Sequence, residues 1–323
     1  MASANSYDLT NPGSAVSNRE DLEQGVYLID PANAPMWTNA TKERTDNPNP
    51  EWSLDKFDDV DTTQIAEGAD AVSFDNEYED LVRVSNYVGI TQKKFKVTDV
   101  QEKTDSAAGA NYAGSAMKAL KELDRNTEAI ILGTQAKAIS GATRTTEGLG
   151  AQLNTTTNIF PADYQIPAAQ LVSGTAPTEV NVDTVLRSIR DNCGEPKHLK
   201  IFGGSTWINA FAANTMRLQS SDDNRTTVNI NGQDGTIVNK IRLYEGQDGS
   251  VELVTLNADT LYDTTNKDMA YFIDSDYFSV KEMGGLVQKE LPDLGGGRRA
   301  VFKRYFAPCI KNPKACAYWD AIA

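Results

Sequence analysis

Apolar and polar positions along the chain change their period several times, and each change predicts a different element. Between Asn111 and Gly133, NYAGSAMKALKELDRNTEAIILG, one side at helical spacing carries Tyr112, Ala116, Leu120, Leu123, Thr127, Ile130 and Ile131. Lys118, Lys121, Glu122, Arg125 and Asn126 fill the rest. Asn111 stands where a cap belongs and Gly133 where helices commonly stop. A helix of this length spans about 32 Å. Just before it, LVRVSNYVGITQKKFKVTDV (81–100) switches to a period of two through Val82, Val84, Tyr87, Val88, Ile90, Phe95 and Val97. That pattern predicts two extended strands, and residues 51–100 together predict a long two-stranded excursion.

After the helix the pattern dissolves. Residues 134–178 are rich in Gly, Thr, Ala and Asn and are expected to be loop-like. NVDTVLRSIRDNCG (181–194) predicts a second amphipathic helix closed by Gly194. HLKIFGG is a short buried strand, and STWINAFAANTM a third helix with Ser205 as its cap. NGQDGTIV (231–238) and EGQDGSVE (245–252) repeat an Asp-Gly turn. With TTVNI, TIVNKIRLY and SVELVTL they predict a three-stranded meander. MAYFIDSDYFSV (269–280) reads as strand and turn, and the tail as a glycine turn, a strand, a proline-broken turn and a final strand. Residues 1–50, with five prolines and the amphipathic start REDLEQGVYLIDP, predict an arm ordered by its neighbours, the alternative being a disordered tail.

Composition sharpens this picture. Only 40% of the 323 residues are apolar, and mean hydropathy is −0.46. Such a chain suits an elongated molecule, or one that buries surface against partners. The net charge of −14 argues against sequence-directed binding of nucleic acid, although the wall of a compartment holding nucleic acid is compatible with it. No run is apolar enough to span a bilayer, and the first residues show no secretory signal. Cys193, Cys309 and Cys316 form no disulfide framework and are expected as free thiols.

Charge is concentrated rather than spread. Residues 51–80 carry eleven acidic side chains against Lys56 alone. So dense a like charge is expected to stay solvated or to face something basic. Residues 281–323 carry eight basic and four acidic side chains, so an acidic excursion and a basic tail coexist in one molecule. Complementarity of this kind steers association and fixes register. The two regions could meet within a subunit or between neighbours, or stay as two solvated faces; Trp52, Asp55, Asp58, Asp59 and Glu67 on one side, and Arg298, Arg299, Lys303 and Arg304 on the other, are the candidate inter-subunit contacts.

Chemistry is sparse. His198 is the single histidine, and no dinucleotide fingerprint, phosphate-loop lysine or paired-histidine zinc motif is present. FGGSTW could offer backbone N–H groups to an anion but reads more simply as a strand-to-helix turn. Asp55, Asp58, Asp59 and Asp61 lack the spacing of a calcium loop. No catalytic, cofactor-binding or metal site is expected, and no enzyme.

The order of parts, arm, acidic hairpin, long helix, mixed domain and return strands, resembles the major capsid proteins of tailed phages with the Hong Kong-ninety-seven-type fold. It is most similar to the branch without a fused scaffolding region. The resemblance rests on REDLEQGVYLIDPANAPMW, EWSLDKF, AEGADA, KALKELDRNTEAIILG, RLYEGQDGSVELV, AYFIDSDYFSV and RYFAPCIKNPKACAYWDAI, which together span nearly the whole chain. It implies an α+β capsid fold with an N-terminal arm (1–50), an extension loop and flanking strands (51–100) and a peripheral domain on a spine helix (101–178). An axial domain (179–280) and strands returning to the peripheral domain (281–323) complete it. It further implies a homo-oligomer of pentamers and hexamers in an icosahedral shell, enclosing double-stranded DNA without sequence-specific binding. The shell would be assembled in the host cytoplasm, with a portal and with scaffolding or decoration proteins as partners. The competing expectations are another virion component, such as a tail, collar or adhesin protein, and an enzyme with an acidic cleft.

Overall fold

The computed structural model describes residues 33–58, 60–70, 78–104, 111–154, 158–193, 197–218, 242–246, 249–256, 268–293, 295–320 and 322, without the side chains of 214–218. The amphipathic start at 19–31, the strand expected over TTVNI, the turn at 231–238 and Asp59 lie outside these residues. In chain order the first elements are α1 (Pro35–Asn39), β1 (Thr41–Arg44), β2 (Glu51–Leu54), β3 (Val82–Ser85) and β4 (Gly89–Val97). Then come α2 (Asp99–Lys103), α3 (Asn111–Leu132), β5 (Ala138–Ser140), β6 (Thr143–Thr145), α4 (Leu149–Gln152) and β7 (Leu171–Val172). They are followed by α5 (Glu179–Cys193), β8 (Leu199–Gly203), α6 (Ser205–Leu218), β9 (Leu243–Gly246) and β10 (Gly249–Thr255). The chain closes with β11 (Ala270–Asp274), β12 (Phe278–Glu282), β13 (Val287–Leu291), β14 (Arg298–Ile310) and β15 (Ala317–Trp319).

Strand β14 organises one sheet. One of its edges pairs antiparallel with β12 and then β13, the other with β4 over Arg298↔Val97 to Phe306↔Gly89, and β1 runs parallel to β12. Helix α3 lies across β4 and β14. Ala119 and Leu123 are buried against Phe302, and Phe95 stacks on Phe302 at 5.6 Å. Leu120, expected on the buried side, is only half-buried, while Glu128, expected nowhere in particular, is fully buried. Asn111 is the first helical residue rather than a cap, and its Nδ2 donates to the Gln101 and Thr104 carbonyls at the end of α2. Ser205 likewise opens α6 from inside, with the Ile208 N–H reaching back to the Gly204 carbonyl.

A second sheet, ordered β7-β15-β11-β8-β10-β9, has a core on each face. Strand alternation decides which side chain enters which core. Ala270 and Phe272 of β11 and Trp319 of β15 meet Val185, Leu186 and Ile189 of α5 and Trp207 and Phe211 of α6. Trp207 is packed 5.6 Å from Trp319 and 5.9 Å from Phe272, edge to face. Tyr271, Ile273 and Tyr318 point the other way, into a core shared with Met36, Trp37, Ile131, Leu132, Phe306 and Ile310. Although β11 and β12 are separated by a short turn, they serve different sheets, and this hinge joins the two halves. The tail divides in the same way: β14 runs across α3, whereas β15 joins the six-stranded sheet beside β11.

The segment 134–178 is not the open loop its composition suggests. It holds the β5–β6 hairpin, α4, two short 3₁₀ turns and β7, and residues 146–153 are buried throughout. Buried amides do the ordering. The Asn86 side chain and the Glu147 backbone bond reciprocally, and Asn86 Nδ2 and Gln152 Nε2 both donate to the Pro308 carbonyl, at 2.9 and 3.1 Å. Pro308 has no N–H of its own to offer a neighbouring strand, and here side chains read its free carbonyl. Gly148 is required by close approach, since a Cβ there would fall 2.0 Å from the Gly133 carbonyl oxygen.

Two carboxylates fasten the first described elements to the body. Glu128 of α3 accepts the Met36 and Trp37 N–H groups, at 2.8 and 2.6 Å, satisfying two of the free donors at the start of α1. Burial pushes its carboxyl up, the two N–H groups pull it down, and the balance leaves it at about 7. Glu43 of β1 bridges Lys281 and Lys311. Burial raises its carboxyl too, but the hydrogen bonds and charges of the two lysines hold it at about 2.

The two acids therefore act with opposite sign on stability. Relative to the ordinary value of 4.5, folded Glu128 holds its proton more tightly, so its contribution is complete below pH 4.5 and is lost as pH rises through about 7. The Glu43 contribution is complete above pH 4.5 and is lost as pH falls toward about 2. We expect Glu128→Gln to remove on the order of 3 kcal/mol of the stability decline over that upper window, leaving the slope due to Glu147, measured by urea titrations at a series of pH values. An unchanged slope contradicts the assignment. Trp319→Ala is expected to cost about 3–5 kcal/mol and Val180→Ala under about 0.5, by the same titration at fixed pH.

Candidate inter-subunit surfaces

The two-stranded hairpin pairs Trp52 with Val84 and Leu54 with Val82, and it is tied to the body at one end and clamped across its two arms at the other. Lys137 Nζ donates to the Ser85 carbonyl at 3.0 Å, Lys56 pairs with Asp80 at 3.2 Å, and the Tyr164 hydroxyl donates to the Asp80 carbonyl. Trp52 is half-buried against the core, and its Nε1 is enclosed without a partner among the described residues. Strand β4, expected to be part of the excursion, instead pairs with β14 in the body.

Beyond Lys56 the described chain runs out into solvent. Every described residue from 55 to 70 is exposed and none is in a helix or strand. Asp55, Asp58 and Glu67 point into solvent, as their charge predicts. Sequence reasoning singled out these acids and passed over the apolar residues between them. Phe57, Val60 and Ile65 are 99%, 90% and 81% exposed. A fully solvated phenylalanine forgoes about 1.5–3 kcal/mol of burial, and three large apolar side chains stand open to water in this one acidic segment.

The four basic candidates fall on two faces of the sheet. Arg298 and Arg304 face α3. Arg298 lies 4.1 Å over the Tyr112 ring and pairs with Glu290 at 3.2 Å. Arg304 is buried, pairs with Asp124 at 2.7 Å, reaches Thr127 Oγ1 at 3.2 Å and stacks 4.2 Å over Trp37. Its contacts are thus within the subunit, where it locks α1 to α3 beside Glu128. Arg299 and Lys303 occupy the alternate positions and face away from the helix. The alternation in RRAVFKRYF was the signal that separates them.

Little else resembles chemistry. His198 Nδ1 lies 3.1 Å from Asp276 Oδ2, both exposed, and the Asp276 N–H donates to Asp274 Oδ1, so the group closes the turn between β11 and β12. Among the described residues His198, Asp274 and Asp276 are the one trio of possible ligands with atoms within 4.8 Å of one another. No described helix is long and apolar enough to cross a membrane. Burial pushes the Cys309 and Cys316 thiols up to about 12, away from reactivity.

The fold has relatives among solved shells. The capsid of a native GTA particle is 12% identical, with 98% of this chain and 99% of that one covered at a TM-score of 0.62. Gordonia phage Cozz is 11% identical over 96% and 93% at 0.60, and the capsid of cyanophage P-SCSP1u is 12% identical over 97% and 95% at 0.58. At such identity these matches show the fold, the tailed-phage capsid fold of mixed helix and strand. No curated protein matches the sequence. The family model described as SU10 major capsid protein matches residues 4–323. The chain belongs to the SU10 major capsid protein family and is a structural protein of a phage capsid shell.

Proposed function

We propose that the chain assembles as pentamers and hexamers into a closed icosahedral shell around the double-stranded DNA of a tailed phage, without enzymatic activity. Residues 1–50 serve as an arm, and the loop within 51–100 lies over an adjacent subunit. The part built on α3 forms the peripheral domain, and the part around 179–280 gathers at the symmetry axes. The observation that carries this reading is the exposed acidic segment 55–70, with Phe57, Val60 and Ile65 in water. An isolated subunit gains nothing from such a projection. In a shell each copy buries its own loop and receives another, and several modest interfaces multiply into a stable particle.

The charge fits an enclosure. A net charge of −14 keeps packaged DNA from adhering to the wall, so the genome is contained without being bound. Assembly takes place in the host cytoplasm, and a portal, with scaffolding or decoration proteins, completes the particle.

Replacing residues 57–70 by a short Gly-Ser linker, which keeps the Lys56–Asp80 pair, is expected to leave the circular dichroism spectrum and the melting temperature of the subunit nearly unchanged. Closed shells, counted by negative-stain imaging and sedimentation, should fall to background. Shells formed by the linker variant at the yield of the unaltered chain would contradict the role given to the loop.

A further inference from the structure

The outward face of the β13–β14–β4 sheet has a composition unlike the rest of this acidic chain. Register and alternation place Val287, Lys289 and Leu291 of β13 on the side away from α3, beside Lys303, Val301 and Arg299 of β14. Ile90, Gln92, Lys94 and Lys96 of β4 continue the same face, opposite Tyr305, Lys303, Val301 and Arg299. The inward set confirms the parity, since Phe95, Phe302, Glu290 and Arg304 all contact residues of α3. The outward strand positions thus bring together five cations, Lys94, Lys96, Lys289, Arg299 and Lys303, and no acid.

None of the four lysines has an ion-pair partner among the described residues. Arg299 spends one nitrogen on the Pro292 carbonyl, and its Nε is enclosed without a partner among the described residues. Between the cations stand apolar residues open to water. Ile90 is 58% exposed, Val287 37% and Leu291 36%. Like charges gathered on one sheet face repel, so the arrangement favours an anionic partner that also brings apolar side chains.

One described segment of this chain has that chemistry. Residues 55–70 carry six acids against Lys56, interleaved with the exposed Phe57, Val60 and Ile65. An extended strand advances about 3.3 Å per residue, so the sheet's spacing of cations suits an extended acidic segment. We propose that the outward face of β13–β14–β4 is the seat on which the acidic segment 55–70 of a second copy docks. The docking rests on the reading of that segment as a loop over a neighbour, and it adds the receiving residues and the interaction that selects them. Arg298 and Arg304, turned toward α3, take no part. Desolvated apolar contacts supply the affinity, and the opposed charges set register and orientation.

The test reverses charge on the seat and then on the loop, in the full-length chain. Lys94→Glu with Lys303→Glu touches no described ion pair, so the subunit should fold with an unchanged melting temperature. The assembled fraction should fall by about tenfold or more, because acid then faces acid. Adding Asp58→Lys and Asp61→Lys should restore shells. Lys118→Glu with Lys121→Glu, on the exposed side of α3, makes the same change in net charge and should assemble normally. In shells grown from a mixture of isotopically light and heavy chains, carbodiimide should join Lys94 or Lys303 to carboxylates of 55–70 between a light and a heavy copy. Normal assembly of the seat variant, equal loss in the α3 control or no rescue would overturn the proposal. So would cross-links only within a copy, cross-links to residues 1–32, or intact shells of the seat variant that have lost nucleic acid. Failure of the unaltered chain to build shells would instead overturn the shell reading itself, which separates the two.

Discussion

Strand β14 is the constraint on which the rest of the subunit depends. Of its thirteen residues, 299–303 pair with β13 and 306–310 with β12 on one edge, and 298–306 pair with β4 on the other. Register is therefore fixed twice, and a slip by one residue would exchange its two faces. As built, Ala300, Phe302, Arg304 and Phe306 turn toward α3 and the core, while Arg299, Val301, Lys303 and Tyr305 turn outward. The inward set holds α3, and through Arg304 and Trp37 it holds α1 and the start of the described chain. One pattern of alternation thereby sets both the internal lock and the external surface.

The six-stranded sheet extends the same logic to the second half. Because Tyr271 and Phe272 point to opposite cores, neither core can rearrange without the other. The Tyr271 hydroxyl also donates to the Leu132 carbonyl at 2.7 Å, so the end of α3 is fastened to the sheet it leads toward. The result is a stiff body from which the hairpin at 51–85 departs. Rigidity matters to a shell protein because each projecting part must meet its neighbour at a set distance, and a tied base spends less entropy on docking.

Much of this frame was legible in the residues. The period of 3.6 residues and Gly133 mark α3 to within a residue of its end, and the acidic run marks the segment that leaves the body. What escaped depended on distant partners. The order within 134–178 comes from Asn86 and Gln152 reading the Pro308 carbonyl, contacts spanning 222 and 156 residues that no local pattern encodes. Glu128 looks like any solvated helical acid until α1 is placed above it. The stretch 269–280 reads as one strand and a turn, whereas it holds both β11 and β12, and adjacency in sequence does not say that they belong to different sheets. The basic tail was read as one cluster because net charge ignores the period of two, which divides Arg299 and Lys303 from Arg298 and Arg304.

We propose that residues 55–70 have no stable place on their own subunit and acquire one from another copy. Amide hydrogen exchange over that segment, compared between the unassembled chain and the closed particle, measures it directly. Exchange near the unprotected rate is expected in the free chain, and strong protection in the particle. Equal exchange in both states, or protection already present in the free chain, would contradict the proposal.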